Sequence, residues 1–266
     1  MNVNDLAHEV KNIIKEASSK VMEIYSLEDV EIIDKQDGSP VTKADHESNE
    51  IIIKGLRDLD PNIPILSEEG SQFTKEEHEL FWMIDPLDGT KEFINKNGEF
   101  TVNIALIHKG EPILGLVSAP AIDETFIGIN GEGSFKISGE RESKIKPSSL
   151  GKTLSVTISR SHQSQKDKDF INSAKKSFEG INKIETGSSL KLCRVAEGAA
   201  DIYCRFGPTY QWDIAAGQAV VTSSGGKVNS LEGDPLTYRF DPEKKNPEFY
   251  CIGDVSYDWK SLISSS

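Results

Sequence analysis

The stretch Leu80-Phe81-Trp82-Met83-Ile84-Asp85-Pro86-Leu87-Asp88-Gly89-Thr90 decides how the rest of the chain is read. Leu80–Ile84 is an apolar run of strand length, too short for a helix. Asp85 closes it. Pro86, with a fixed φ and no N–H, is expected to stop the strand there and bend the chain. Such a bend can turn the Leu87 carbonyl inward as an oxygen ligand. Asp88 would then open a helix, and Gly89 would let a ligand approach the backbone. The N–H groups of Gly89 and Thr90 would face an anion, as helix N-termini do when they hold phosphate. One short segment thus offers hard oxygen ligands beside a phosphate cradle.

Working outward, other carboxylates stand where the pattern breaks. Glu68 and Glu69 follow the β-like run Pro64–Leu66, in the stretch IPILSEEG. Asp213 begins a helical pattern after Trp212. Asp45 falls in the first turn of the helix opened by Thr42, in VTKAD. Oxygen donors without His or Cys at ligand spacing suit Mg²⁺ rather than zinc. Each has a bland alternative when taken singly. Asp88 and Asp213 fit plain helix N-caps, Thr42 with Asp45 fits a capping box, and Glu68 with Glu69 fits a solvated turn. Their joint occurrence favours one cation site.

The chain around these residues reads as two layered halves. Apolar residues at helical spacing predict a helix over Asn4–Tyr25, and a second from Thr42 to about Leu59. Between them come an extended piece, Val30–Asp34, and a Gly38-Ser39-Pro40 turn. From Ile63 to Ile137 short β-like runs follow one another: Pro64–Leu66, Leu80–Ile84, Val102–Ile107, Ile113–Val117, Thr125–Ile129 and Gly133–Ile137. Lys109-Gly110-Glu111 reads as a hairpin turn, and the absence of intervening helices predicts an antiparallel sheet. The polar stretch Lys144–Lys152 reads as a linker. Beyond it strands (Leu154–Ser159, Lys183–Thr186, Asp201–Phe206, Phe249–Gly253) alternate with helices (Lys166–Phe178, Ser188–Glu197, Asp213–Ser223). The expectation is an α/β (α+β) protein. An N-terminal unit, 1–147, would carry most of the metal ligands, and a C-terminal unit, 148–266, would contribute Asp213 and substrate contacts.

Composition narrows the function. A net charge of −13 argues against non-specific binding of nucleic acid, which needs a basic face. No apolar run approaches the length of a membrane span, and the N-terminus lacks the pattern of a signal peptide. The three cysteines, Cys193, Cys204 and Cys251, form no C-x-x-C pair and read as reduced thiols of a cytoplasmic protein.

The motifs GSPVTKAD, SEEG, DPLDGTKEFI, NGEFTVNIALI and WDIAAG occur in an order that resembles the inositol monophosphatase-like, lithium-sensitive metal phosphatases, over nearly the whole chain. Lys91-Glu92-Phe93 after DGT, the segment Ile158–His162, and Gly187–Lys191 followed by Arg205–Thr209 look most like the bacterial CysQ-type 3′(2′),5′-bisphosphate nucleotidases. The resemblance implies a layered α/β/α/β/α sandwich. It also implies two Mg²⁺ ions per site, with room for a third. Glu68, Asp85 and the Leu87 carbonyl would hold one ion; Asp85, Asp88 and Asp213 would hold a second, with Asp85 bridging. Asp45 and Thr90 would activate the attacking water.

The same resemblance implies a small bisphosphorylated nucleotide as substrate: adenosine 3′,5′-bisphosphate, a by-product of sulfate assimilation that would be removed by cleavage to AMP and phosphate. Lys191 and Arg205 would hold the 5′-phosphate, with His162 and Ser188 as further polar contacts. Glu68, Leu87, Asp88, Gly89, Thr90 and Asp213 would line the substrate at the metal end. Lys191 also reads as a solvated helix residue, Arg205 as a surface strand residue, and Phe206 as a core residue or a base-stacking one. An inositol or sugar monophosphatase and a non-catalytic nucleotide-binding regulator are the alternatives on the same scaffold. Relatives of this kind also allow peripheral association with the cytoplasmic face of the inner membrane. Oligomeric state is left open by the sequence.

Overall fold

Leu6, Val10, Ile13, Ile14, Ala17, Val21 and Ile24 recur at helical spacing, and all lie buried along one face of α1 (Val3–Tyr25). Asn2 caps it, its side chain accepting from Asp5 N at 2.9 Å. The computed structural model describes residues 2–27, 32–34, 40–70, 77–160 and 164–264. After α1 come β1 (Ile32–Asp34), β2 (Pro40–Thr42), α2 (Lys43–Leu59), β3 (Ile65–Ser67), β4 (Leu80–Asp88) and α3 (Thr90–Ile94). A run of strands follows: β5 (Thr101–His108), β6 (Glu111–Ala119), β7 (Glu124–Ile129), β8 (Gly133–Ser138) and β9 (Arg141–Ile145).

The second half alternates as expected. It contains β10 (Thr153–Ser159), α4 (Gln165–Ser177), β11 (Gly180–Thr186), α5 (Leu190–Ala196), β12 (Ile202–Arg205), β13 (Thr209–Tyr210) and α6 (Trp212–Ser224). It ends with β14 (Lys227–Ser230), β15 (Lys245–Asn246), β16 (Phe249–Ile252) and α7 (Trp259–Ser264).

Among the described residues the strands form two main sheets. One is seven-stranded in the order β3-β4-β5-β6-β7-β8-β9, parallel at β3–β4 and antiparallel thereafter. The other is five-stranded, β11-β10-β12-β16-β14, with β10 parallel to both its neighbours. The expected hairpin between β5 and β6 is made by Lys109 and Gly110, both at positive φ (52° and 83°), which matches the strand twist.

Three clusters of buried side chains stack these elements into five layers. α1 and α2 cover one face of the large sheet through Val10, Ile14, Ile52 and Leu56 against Trp82, Ile104 and Leu116. The other face, with Phe81, Met83, Val117 and Phe126, packs on α5 and α6, which in turn pack on Tyr203, Phe249 and Cys251 of the small sheet. α4 and α7 close the far side through Phe170, Ala174, Trp259 and Leu262. The result is the expected helix–sheet–helix–sheet–helix sandwich. Among the described residues no helix is long and apolar enough to cross a membrane.

Several expectations need correction. Pro86 does not end its strand: β4 runs on to Asp88, with a register shift against β5 between Asp85 and Asp88. The irregularity accommodates a residue that cannot donate to the ladder. Asp88 is therefore the last residue of a strand, and Gly89 at φ +89° caps the short helix α3. The linker begins later than Lys144, because Arg141–Ile145 forms the exposed edge strand β9. The helix expected from Ser188 starts at Leu190, since Ser188 has φ +42°. β14 and α7 had no predicted counterpart. Glu28–Glu31 and Lys35–Ser39, and with them the expected turn at Gly38-Ser39, lie outside the described residues.

The middle layer depends on two glycines. A Cβ on Gly115 would stand 2.3 Å from Ala216 O, and one on Gly128 would stand 2.4 Å from Ala219 O, so the backbone of α6 rests directly on β6 and β7. Overpacking of this kind costs about 1–3 kcal/mol. Gly128→Ala should therefore lower the unfolding free energy by that amount, read from urea denaturation as a lower midpoint at unchanged slope; an unchanged midpoint would show that α6 can move aside without cost.

Candidate active site

The parallel pairing of β3 with β4 puts their C-terminal ends side by side, with Ser67 opposite Ile84. The residues just beyond, Glu68 and Asp85, are thereby brought together. Glu68 N donates to Ile84 O at 3.2 Å. Asp85 is 1% exposed. Its Oδ1 accepts from Leu87 N at 3.1 Å, while its Oδ2 has no hydrogen-bond donor among the described residues. Burial first, and then the charges of Glu68, Asp88 and Asp213, push the Asp85 carboxyl well above its ordinary value. Burial and the Asp88 and Glu68 charges do the same to Asp213. Asp88 is raised by burial, against the opposing pull of Lys191 and of Ser189.

Asp88 and Asp213 are held by backbone donors. Asp88 Oδ2 accepts from Ser189 N at 2.7 Å, and Asp213 Oδ2 from Tyr210 N at 2.9 Å. Asp213 lies in the first turn of α6 after Gln211, so it is not the cap itself. Gln211 is fully buried and fastens this turn to the neighbouring loop, donating to Arg239 O and Asp241 O and accepting from Arg239 N at 2.7 Å.

Asp45 serves two purposes with its two oxygens. Oδ2 accepts from Thr42 N and Thr42 Oγ1, each at 2.7 Å, completing the capping box of α2. Oδ1 accepts from Thr90 Oγ1 at 3.3 Å, and Thr90 Oγ1 also lies 3.4 Å from Leu87 O. The Leu87 carbonyl is thus on the Thr90 side of the bend.

A cavity of about 140 Å³ opens beside Asp88 and Asp213, with Gly89, Ser188, Lys191 and Arg205 in its wall. Lys191 is not a solvated helix residue: it is 8% exposed, and its Nζ donates to Ser188 O at 2.6 Å. Burial lowers its pKa to about 8, with Arg205 adding to the shift and Asp88 opposing it. Arg205 is half-buried; one end donates to Pro208 O at 3.2 Å, but among the described residues its buried Nε has no partner, and neither has Ser188 Oγ. Phe206 packs with Phe170 at 6.4 Å, in keeping with the core role. His162 lies outside the described residues.

Among the described residues no three acidic, histidine or cysteine side chains already close into a ligand cage. The donor set nevertheless fits a hard divalent cation. Carboxylates crowded enough to raise one another's pKa, with the buried Asp85 Oδ2 left without a donor, present charge that a Mg²⁺ ion would balance. Sequence reasoning missed Asn103, Ser189 and Gln211; nothing in their spacing marks them, because their partners come from other elements.

This five-layer sandwich, with acidic groups gathered where strands end, is the build of a family of phosphatases. The inositol monophosphatase family model matches residues 3–247, and the chain belongs to that family. It is 41% identical over 247 residues to the 3′(2′),5′-bisphosphate nucleotidase CysQ of Escherichia coli O6:H1, covering 91% of this chain and 97% of the relative. It is 32% identical over 256 residues to the protein of the same name from Haemophilus influenzae, covering 94% of each. The crystal structure of CysQ from Bacteroides thetaiotaomicron, described as a bacterial member of the inositol monophosphatase family, superposes with a TM-score of 0.83 at 33% identity. That match covers 94% of this chain and 97% of that one.

The carboxylate crowd has a measurable cost. Asp85 binds its proton more tightly folded than unfolded, so stability is lost as pH rises above its unfolded pKa and the carboxyl ionises. In chelator at neutral pH, Asp85→Asn should therefore raise the thermal midpoint. The gain should shrink as pH falls and wild-type Asp85 takes up its proton. A midpoint lowered by the substitution would show that Asp85 is compensated without a cation.

Proposed function

We propose that the chain is a Mg²⁺-dependent 3′(2′),5′-bisphosphate nucleotidase that hydrolyses adenosine 3′,5′-bisphosphate to AMP and phosphate. The observation that carries the reading is the cavity wall. A buried Lys191, with an Arg205 Nε and a Ser188 Oγ that have no partner among the described residues, stands beside the carboxylates. A nucleoside bisphosphate brings a second phosphate that the metal end cannot neutralise, and these donors supply its counter-charge. An inositol or sugar monophosphate has no group that requires them. A non-catalytic regulator has no use for the Thr90–Asp45 pair.

In this reading Glu68, Asp85 and the Leu87 carbonyl would hold one Mg²⁺, and Asp85, Asp88 and Asp213 would hold a second. Bound Mg²⁺ supplies Lewis acidity toward phosphoryl oxygens and lowers the pKa of water. Thr90 Oγ1, fixed by Asp45 Oδ1, orients the attacking water and passes its proton toward Asp45. Lys191, Arg205 and Ser188 bind and orient the 5′-phosphate, with His162 as a further contact. Gly89 permits close approach: it already has φ +89° and carries no side chain to fill the cavity wall. The three buried, free cysteines agree with a reducing cytoplasmic setting.

Phosphate release should be fast from adenosine 3′,5′-bisphosphate, slow from inositol 1-phosphate, and abolished for both by chelation of divalent cations. Equal rates on the two substrates would favour the monophosphatase, and no release from either would favour the binding protein. Lys191→Ala and Arg205→Ala should each raise KM for the bisphosphate by roughly 10- to 150-fold, the loss of one charge-assisted hydrogen bond. KM for a monophosphate lacking the second group should stay unchanged. Equal losses on both substrates would move these residues from the second phosphate to the metal end.

A further inference from the structure

The run Phe100–Ile107 contains a polar residue, Asn103, that the function proposed above leaves unused. Asn103 pairs with Asp85 across β5 and β4 and is 1% exposed. Its Nδ2 donates to Ser189 Oγ at 3.0 Å. Ser189, equally buried, precedes α5. Its N lies 2.7 Å from Asp88 Oδ2, and its Oγ lies 3.0 Å from that same oxygen and 2.6 Å from Asp213 O. A hydroxyl carries one hydrogen, and Asn103 already occupies one of its acceptor positions. The remaining hydrogen is shared between the Asp213 carbonyl and the Asp88 carboxylate.

One small side chain therefore touches three separate elements: the end of β4, the first turn of α6 and, through Asn103, the strand opposite Asp85. These elements carry Asp88, Asp213 and the partner of Asp85. Ser188 immediately before it sits at φ +42°, a conformation costly for a residue with a side chain. Left alone, Asp88 and Asp213 would move apart, since like charges repel. A residue that grips both elements opposes that movement, and by occupying one oxygen of Asp88 it leaves the other for a ligand.

We infer that Ser189, anchored by Asn103, is a positioning residue that sets Asp88 against Asp213 and thereby the affinity of the divalent-cation site those two share. The inference rests on the cation reading of the proposed function. A plain structural role, in which Ser189 only satisfies buried polar groups, would change stability without changing cation affinity.

Mn²⁺ binding to the full chain without substrate, followed by the loss of the free-ion resonance signal, separates the two. Ser189→Ala should weaken one class of Mn²⁺ site by about 10- to 100-fold, the usual effect of removing a group that orients a ligand. Ser189→Thr, which keeps the hydroxyl, should restore most of it. Asn103→Ala, whose side chain does not touch Asp88 or Asp213, should weaken the same site and keep the test open if Ser189→Ala fails to fold. Because Asn103 acts through Ser189, the double variant should bind no more weakly than Ser189→Ala alone. Unchanged Mn²⁺ affinity in Ser189→Ala, with the wild type binding normally, would overturn the positioning role, as would additive losses in the double variant. A wild type that binds no Mn²⁺ would overturn the cation reading itself, and this inference with it.

Discussion

Carboxylates brought together away from water repel, and the neighbourhood of Asp85 is arranged around that repulsion. At an effective dielectric of 20, two unit charges 4 Å apart cost about 4 kcal/mol. Burial, and after it the neighbouring carboxylates, raise the Asp85 and Asp213 carboxyls. The fold opposes the repulsion with backbone donors: Ser189 N on Asp88, Tyr210 N on Asp213, and Leu87 N on Asp85. Lys191 adds a positive charge close to Asp88 but is itself buried, so its help is weakened by its own desolvation. Among the described residues these acidic groups are held in place by hydrogen bonds.

Structural and chemical duties coincide here more than they compete. Asp45 caps α2 with one oxygen and reaches Thr90 with the other. Thr42 is fully buried, so the cap lies inside the protein, where a carboxylate without partners would be costly. The capping geometry thus fixes the Asp45 rotamer, and the fixed rotamer is what makes the Thr90 contact available. The cap and the Thr90 contact do not compete, because each takes a different oxygen of Asp45.

The sequence was most legible where residues punctuate the chain. Asp85-Pro86, Gly89 and the Glu pair after Leu66 mark breaks, and of the carboxylates there Glu68, Asp85 and Asp88 lie close enough to act on one another. The amphipathic face of α1 and the strand runs of the large sheet were equally plain. Pro86 misled because a proline can be absorbed by an irregular register, which depends on the partner strand. β9, Arg-Glu-Ser-Lys-Ile, has no apolar alternation because it forms an exposed sheet edge. Lys191 reads as solvated because its burial comes from other elements that close over the cavity. Likewise the Ser188-Ser189 pair looks uniform in sequence. Only the fold separates the Ser188 hydroxyl, with no partner among the described residues, from the Ser189 hydroxyl, which reaches both Asp88 and Asp213.

The contact of α6 with the large sheet has a mechanical consequence. Asp213 and Ala216 are less than one helical turn apart, and Ala216 O is the atom against which Gly115 presses. The helix is stiff over that distance, so it acts as a short lever between the middle of the sheet and the acidic cluster. A side chain grown at position 115 would press on the backbone of the turn next to Asp213. Displacements on the order of 1 Å at a reacting centre are enough to cost about a hundredfold in rate. A buried glycine in the sheet is in this way tied to the acidic cluster through backbone alone.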